Sequence, residues 1–361
     1  MKYLYITLSL FLLASCADEK KPQAEAKPEK TDLDFYKLKG NVTSVSEKSY
    51  IVSDGKNEPG NEVASEHDTD RYFDENGLLI SEKKWQGNKA FEESSFANRE
   101  KLLRRTQFLN GVPSIVTENQ WDAAGDNILA TIRRNPDNSQ LDKVTYKYEN
   151  GKPVEKVSYS AQDNALDKTS YMYDKNGNLI GENLYMGTEI IKAKTKYEYN
   201  ADNQKVAESR YSEEKLNYKT TYQYKGKNLI KKETTDDKGL PEYTEVFIYD
   251  AADNVFRHIT IERYDNSETT DEYKYDKNKN VTLWEREKKG SPKISIANVY
   301  DDKGNLVSVR TTDASGKVLE DRKYIYTYDS NNNWTKKSVI IFDKPTFSIE
   351  RKITYKEEAI Q

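Results

Sequence analysis

The chain has 361 residues, of which 35% are hydrophobic, and a mean hydropathy of −0.97; these values exclude a large globular core. Its 57 basic and 61 acidic residues nearly balance, which excludes the one-signed field that would attract nucleic acid or an anionic bilayer. Disordered chains are poor in aromatic residues, and this chain has 27 tyrosines and 10 phenylalanines. Because Tyr and Thr favour sheets with one face in water, we predict an all-β protein with much exposed surface.

Residues 1–15 are predicted to be a lipoprotein signal peptide. Lys2 gives a positive start, residues 3–12 form an apolar stretch too short to span a bilayer, and residues 13–16 resemble the lipobox of bacterial lipoproteins. Cys16 is the single cysteine and cannot form an internal disulfide, so we expect it to carry the lipid at the start of the mature chain. The alternative is an ordinary signal peptide that ends near a cysteine by chance.

Residues 16–34 comprise the lipidated cysteine and a predicted flexible tether. The stretch is rich in Lys, Glu, Pro and Ala and has no apolar periodicity. We expect it to hold the folded part at the bacterial cell envelope as an outer-membrane lipoprotein without a transmembrane helix. The acidic pair Asp18-Glu19 is similar to signals that send some lipoproteins to the cell surface, although a solvated linker has the same composition. Display on the cell surface and a position facing the periplasm therefore stay open.

Residues 35–361 are predicted to form one repeat domain with units of about 25 residues. Each unit contains an aromatic residue, an acidic or polar residue, two variable residues, a Gly or Asn, often an Asn, and two aliphatic residues. The clearest copies are residues 173–180 and 300–307. The aromatic residues of the eleven copies are Phe73, Phe96, Trp121, Tyr148, Tyr173, Tyr199, Tyr224, Tyr249, Tyr275, Tyr300 and Tyr328.

Each unit is predicted to be a β-hairpin. Residues alternate before the aromatic residue, as in residues 195–199, which places two tyrosines on one face of a strand. Four residues past the aromatic, seven of the eight long copies have Gly, Asn or Asp and one has Lys279, which predicts a type I turn closed at positive φ. The acidic residue beside the aromatic is expected to accept a backbone N–H two residues on.

A second turn signal lies between successive aromatic residues, as at Asn110-Gly111 and Ser315-Gly316. Two strands therefore fill each period, and we predict tandem antiparallel β-hairpins that form an extended, twisted or spiralling sheet. Residues 53–70 are predicted to be a long loop, and residues 352–355 the first strand of a unit that stops, which would form a cap.

The Tyr-Asp, Gly-Asn and Leu-Ile order of residues 173–180, with Leu-Val at residues 306–307, resembles the YD-repeat (RHS-type) proteins, which include teneurins and bacterial polymorphic toxins. The resemblance covers most of the chain after residue 70. It implies a spiralling β-sheet that is sometimes closed into a shell around a toxin. The sequence lacks an Asp-Pro-x-Gly-Leu processing motif, and we predict no separate domain after the repeats, so an enclosed toxin is not expected.

Residues able to perform catalysis or bind a metal are few. The chain has two histidines, His67 and His258, and no cysteine besides Cys16, so a structural zinc site or a cysteine nucleophile cannot be assembled. We expect both histidines to lie on the surface. Carboxylates concentrate in the repeat turns, where turn chemistry explains them, and the basic run of residues 99–105 is expected to solvate a strand rather than bind nucleic acid.

We therefore predict a non-enzymatic, membrane-anchored repeat lipoprotein that acts as an interaction scaffold in the envelope or at the cell surface. Its expected partners are the membrane, through lipid on Cys16, and an unidentified protein or glycan; no cofactor, metal or nucleic acid is expected. The first alternative is a carbohydrate-binding lipoprotein in which sugars stack on the Tyr-rich sheet faces. The second is a glycoside hydrolase, which would require clustered carboxylates in a concave pocket.

Overall fold

The computed structural model describes residues 31–53, 55–61 and 66–356. These residues form one short helix, α1 (Asp32–Phe35), and 25 strands. In this part of the chain, no helix combines the length and the apolar character needed to cross a bilayer. The strands are β1 (Val42–Ser53), β2 (Lys56–Pro59), β3 (Asp68–Phe73), β4 (Leu79–Gln86), β5 (Lys89–Asn98), β6 (Lys101–Leu109), β7 (Val112–Trp121), β8 (Ile128–Arg134), β9 (Gln140–Glu149), β10 (Lys152–Tyr159), β11 (Ala165–Tyr173), β12 (Leu179–Met186), β13 (Ile190–Tyr199), β14 (Lys205–Ser212), β15 (Lys215–Lys225), β16 (Asn228–Asp236), β17 (Pro241–Tyr249), β18 (Val255–Glu262), β19 (Ser267–Tyr275), β20 (Val281–Lys288), β21 (Ile294–Tyr300), β22 (Leu306–Asp313), β23 (Val318–Tyr328), β24 (Trp334–Ile341) and β25 (Lys344–Tyr355).

The strands from β3 to β25 pair antiparallel in chain order, each with the next. In β19 and β20, for example, Tyr273 lies opposite Trp284. The strands that begin each unit end at or within two residues of the repeat's aromatic residue, and a register shift follows beside it, as between Met172 and Tyr173. The prediction of an all-β fold built from tandem antiparallel hairpins is confirmed.

The sheet closes on itself through β1. Val45 of β1 lies opposite Ile353 of β25 on one side and opposite Arg71 of β3 on the other. Within the described residues β2 pairs with the end of β1 alone, so the other 24 of the 25 strands form the closed ring. The sequence led us to expect an extended or spiralling sheet, and the pairing of the first strand with the last corrects this to a closed sheet.

The two ends of the described chain complete one repeat unit between them. Residues 40–42, Gly-Asn-Val, correspond to Gly-Asn-Leu at residues 304–306, and the two glycines have φ angles of +80° and +77°. Lys356 donates its N–H to the carbonyl oxygen of Asn41 at 2.8 Å, the bond that closes a full turn elsewhere in the array. The strand expected to cap the array is therefore β25, which pairs with β1 instead of ending the sheet.

The predicted turn geometry is confirmed. Asp174 Oδ1 accepts the N–H groups of Asn176 at 2.9 Å and of Asn178 at 2.8 Å. Gly177 has a φ of +83° and donates its N–H to the carbonyl oxygen of Asp174 at 3.0 Å. Lys279, the one residue that departs from the pattern, has a φ of +64° and therefore adopts the same left-handed conformation in spite of its side chain.

The described chain begins with a folded segment at one rim of the ring. Asp32 of α1 is buried, and its Oδ2 accepts the N–H groups of Leu79 at 2.7 Å and Arg99 at 2.8 Å. The main hydrophobic core lies beside this segment and contains Leu38, Val42, Val45, Phe73 and Leu79. The last part of the predicted tether, residues 31–34, is therefore ordered against the sheet, because the Asp32 carboxylate satisfies backbone donors of two turns.

The predicted loop of residues 53–70 contains a strand. Gly55, at a φ of +74°, turns the chain so that β2 pairs with the end of β1, with Tyr50 opposite Pro59. The other end of the predicted loop forms the start of β3 at Asp68. Residues 54 and 62–65 lie outside the described parts of the chain.

Candidate functional site

The predicted lipid-attachment residue, Cys16, lies outside the described residues, as do the predicted signal peptide and the tether up to residue 30. The ring has two faces, and we call the one that carries Val45 and Ile353 the core face. Two concave regions of the ring contain charged and aromatic side chains that the repeat turns do not explain.

The tyrosines that recur in successive repeat units have a structural role. Eight tyrosine hydroxyls among the described residues donate to a backbone carbonyl about 20 positions earlier, and the donor–acceptor distances are 2.7–3.3 Å. Tyr275, for example, binds the carbonyl oxygen of Val255 at 2.7 Å. Each bond joins one hairpin to the hairpin before it, beside a bulge that leaves a carbonyl outside the strand ladder. These hydroxyls stabilise the sheet, so they do not by themselves form a sugar-binding row.

The first concave region is a cavity of about 470 Å³, which we call the end cavity. It lies at the rim that carries α1, between residues 35–39 and the strands from β21 to β25. Its aromatic lining residues are Phe35, Tyr36, Tyr300, Tyr326, Tyr328 and Trp334. Its cationic lining residues are Lys37, Lys39, Lys303 and Arg351, and no described lining residue is acidic.

Arg351 belongs to a charge network on the core face. Its Nε lies 2.6 Å from Glu47 Oε1, and Arg71 Nη1 lies 3.0 Å from Glu47 Oε2. Burial alone would raise the pKa of Glu47, but Arg351 and Arg71 hold that pKa below its ordinary value. The guanidinium of Arg351 also lies 3.4 Å from the ring centre of Trp334. The charge of Arg351 is therefore already balanced within the fold.

Two of the tyrosines at the end cavity stay protonated over the ordinary pH range. Burial raises the pKa of Tyr326 to about 12, and it also raises the pKa of Tyr328, which the nearby Asp301 carboxylate raises further. Tyr326 donates to the carbonyl oxygen of Leu306 at 3.3 Å. The cavity thus offers neutral phenols and aromatic faces beside lysine ammonium groups.

The second concave region, the acidic groove, lies on the face opposite the core between β18 and β21. It has a volume of about 560 Å³ and four glutamates in its lining, Glu268, Glu272, Glu285 and Glu287. Lys293 and Ser295 bind Glu285 at 3.1 and 3.0 Å and lower its pKa. A general acid requires a raised carboxyl pKa, so Glu285 has the opposite property.

The two histidines lie outside both concave regions. His67 is half-buried and stacks on Phe91, with 4.0 Å between the ring centres. His258 is half-buried rather than on the surface: its ring stacks on Phe247, and its Nε2 lies 3.3 Å from Glu245 Oε1. Among residues 31–53, 55–61 and 66–356, no group of three or more His, Cys, Asp or Glu side chains is arranged to hold a metal.

Sequence reasoning missed the end cavity because its walls come from opposite ends of the chain. The sequence places residues 35–39 at the start of the repeat domain, and nothing in their composition indicates a contact with β21–β25. The signal that could have predicted it is Gly40-Asn41-Val42, the second half of a repeat unit without a first half before it.

The closed ring, the shared turn geometry and the tyrosine bonds define a protein made of antiparallel β-hairpin repeats. Residues 300–338 match the family model described as RHS Repeat, so this stretch is an RHS repeat and the predicted resemblance to YD-repeat proteins is confirmed there. A search of curated proteins finds no match to the chain.

Three solved structures are similar to this chain at low identity. The Photorhabdus luminescens Tc holotoxin pore is 11% identical over 78% of this chain and 19% of that chain, with a TM-score of 0.40. TcdB2-TccC3 without its hypervariable C-terminal region is 14% identical over 84% of this chain and 18% of that chain, with a TM-score of 0.38. A porin-like protein from Bacteroides uniformis is 11% identical over 87% of this chain and 96% of that chain, with a TM-score of 0.22. The chain thus spans about a fifth of the length of the toxin chains.

Proposed function

We propose that this chain is a lipid-anchored, non-enzymatic repeat scaffold of the bacterial cell envelope. The observation that carries the proposal is that the tether enters at one rim of the ring and the three most exposed aliphatic side chains, Leu109, Val112 and Ile190, lie at the opposite rim. The described fold begins at Thr31. Leu33 donates its N–H to the carbonyl oxygen of Gly77, in a turn that follows a repeat's aromatic residue and the neighbouring aspartate, which we call an aromatic–Asp turn. The chain therefore enters at the rim formed by the aromatic–Asp turns. Residues 16–30 reach roughly 50 Å when extended.

At the rim opposite α1, which we call the far rim, apolar side chains lie at the tips of the turns. Successive turns of an antiparallel meander lie at opposite ends of the strands. The aromatic–Asp turns form the rim that carries α1, so the second turn of each repeat unit lies at the far rim. Leu109 is 69% exposed and Ile190 is 63% exposed, and Val112, Met186 and Phe342 are also exposed. Strongly exposed apolar side chains at neighbouring turns of a polar protein favour an interaction surface. A chain anchored through Cys16 would present these tips away from the membrane.

The anchor is tested by Cys16→Ala in the full-length chain. We expect this variant to lose metabolic labelling with an alkynyl fatty acid and to leave the membrane fraction or accumulate as precursor. Lys20→Ala, which changes the tether but keeps the cysteine, is the matched control and should behave as wild type. A Cys16→Ala protein that is processed normally and stays with membranes would overturn the anchor.

The interaction surface is tested by cross-linking in intact cells. Met186→Ser with Ile190→Ser should remove the cross-linked species that wild type forms, because both tips lie on the far rim. Ala251→Ser with Ala252→Ser, at the aromatic–Asp rim, should leave it unchanged. Equal effects of the two pairs would show that the far rim is not the contact surface.

A glycoside hydrolase is the second candidate, because four glutamates line the acidic groove. Paired carboxylates flank the scissile bond in most such enzymes. If the groove is an active site, the wild-type chain releases sugar from an oligosaccharide panel and Glu287→Gln does not. We expect no release from either protein.

A further inference from the structure

Three lysines at the end cavity lack a carboxylate partner among the described residues. Lys303 Nζ donates to Asn332 Oδ1 at 3.0 Å and lies 4.2 Å from the ring centre of Tyr328. The ammonium groups of Lys37 and Lys39 make no hydrogen bond or ion pair within the described chain. Some lysines elsewhere on the ring have acidic partners, as Lys336 has in Glu350 at 2.8 Å. The end cavity therefore brings together three lysine ammonium groups that no carboxylate in the described part of the chain neutralises.

The nearest turn carboxylates are occupied. Asp301 Oδ1 accepts the N–H groups of Lys303 at 3.0 Å and Asn305 at 2.7 Å. Its Oδ2 accepts the Asn305 amide at 3.1 Å and the Tyr328 hydroxyl at 3.2 Å. Asp329 is held in the same way by its own turn and by the Tyr355 hydroxyl. These carboxylates form the turns and do not line the cavity, so an anionic ligand would find the three ammonium groups free of described carboxylate partners.

The walls between the lysines are aromatic. Phe35 is exposed, and Tyr300, Tyr328 and Trp334 are part of the same lining. Amphipathic rings bind a partner that has an apolar face and a polar edge. The amides of Asn305 and Asn332 add hydrogen-bonding groups, and the volume of about 470 Å³ suits a small organic ligand.

We propose that the end cavity binds an anionic saccharide, with sugar rings against Phe35, Tyr300 and Tyr328 and the acidic groups of the sugar on Lys37, Lys39 and Lys303. A pyranose has apolar C–H faces for the rings and hydroxyls for the amides, and its carboxylate or sulfate supplies the missing charge. Residues 37–39 come from the N-terminal segment and Lys303 from the β21–β22 turn, so the site exists only when the ring is closed. The proposal holds whether or not Cys16 carries lipid.

The test is isothermal titration of the full-length chain in detergent with tetragalacturonate. Cellotetraose, a neutral sugar of the same length, should bind at least about tenfold more weakly, and added salt should weaken tetragalacturonate binding. Lys303→Gln and the pair Lys37→Gln with Lys39→Gln should each lower the affinity about tenfold, the effect of losing one charge-assisted hydrogen bond. Circular dichroism checks that each variant is folded.

Lys175→Gln is the matched control, because it removes an exposed turn lysine that lies outside the cavity. It should bind tetragalacturonate as wild type does. An equal loss in this control, equal binding of cellotetraose, or no binding at all would overturn the proposal. Full competition by sulfate at the same concentration would reveal a simple anion site, and binding of phosphatidylglycerol vesicles without tetragalacturonate binding would reveal a lipid surface; either result also overturns it.

Discussion

Asn333 binds the backbone of Lys39 through both atoms of its side-chain amide. Lys39 donates its N–H to Asn333 Oδ1, and Asn333 Nδ2 donates to the carbonyl oxygen of Lys39, each at 2.8 Å. Asn333 is 2% exposed, and its Nδ2 also lies 2.8 Å from the Tyr355 hydroxyl. A single side chain in the β23–β24 turn therefore joins the N-terminal segment to the last strand.

We expect Asn333→Ala to lower the free energy of unfolding by about 2–3 kcal/mol, because it removes a buried side chain and leaves two partly buried backbone groups of Lys39 without partners. Asn280 is the matched control, since its amide binds Asp276 within its own turn, at 2.9 Å. Asn280→Ala should cost about 1 kcal/mol. Urea unfolding measures both losses. Equal losses would mean that Asn333 has no special part in closure.

Lys279→Gly should raise the free energy of unfolding by about 1 kcal/mol, because a side chain at a φ of +64° is strained and glycine is not. Gly304→Val should lower it, and Gly304→Asn should change it little. A Cβ atom added at position 304 would meet no atom within 4 Å, so we expect the backbone conformation to set the ranking. Thermal unfolding of the three variants checks it, and equal stability of the two Gly304 variants would contradict the turn assignment.

Tyr275→Phe should lower the free energy of unfolding by about 1 kcal/mol, since it deletes the hydrogen bond to Val255 and keeps the ring. Tyr264→Phe is the control, because Tyr264 is 97% exposed and has no such bond within the described residues. Its effect should stay within about 0.5 kcal/mol. If the two variants are equally stable in urea, the hydroxyl bonds between hairpins do not stabilise the array.

Alkaline solution should destabilise the ring between pH 10 and pH 12. Burial raises the pKa of Tyr197 and of Tyr326 from 10.0 to about 12, so the folded state favours the neutral phenol. The corresponding stabilisation is complete below pH 10, the value in the unfolded chain, and is lost as the pH rises through 12. Urea midpoints at several pH values, read beside tyrosinate absorbance, test this. A midpoint that stays constant up to pH 12 would contradict it.

The local structure of the ring could be predicted because the residues within each unit determine the conformation of its turn. Residues 173–180 specify a strand end, a turn acceptor and a positive-φ position, and the structure places them so. The type I turn depends on contacts within five residues, and these are visible in the sequence.

Closure and the end cavity could not be predicted in the same way. Both depend on contacts between residues 32–42 and strands near the other end of the chain. A short sequence such as Gly40-Asn41-Val42 does not indicate which strand supplies the first half of its repeat unit. The shape of a repeat array follows from small rotations between neighbouring units, which composition does not specify. The order of residues 31–34 depends similarly on Asp32, whose partners lie in turns at Leu79 and Arg99.

The pairing of β1 with β25 restricts how such a ring can change in size. Neighbouring strands run in opposite directions, so a ring closes without a parallel pair only when its number of strands is even. Gain or loss of a whole unit of about 25 residues adds or removes two strands and keeps the half-unit at residues 40–42 opposite its complement. Loss of one strand would present β1 to a neighbour of the wrong direction. Duplication of whole units is therefore the mode of growth that this junction permits, and circumference can vary while the closing hairpin stays the same.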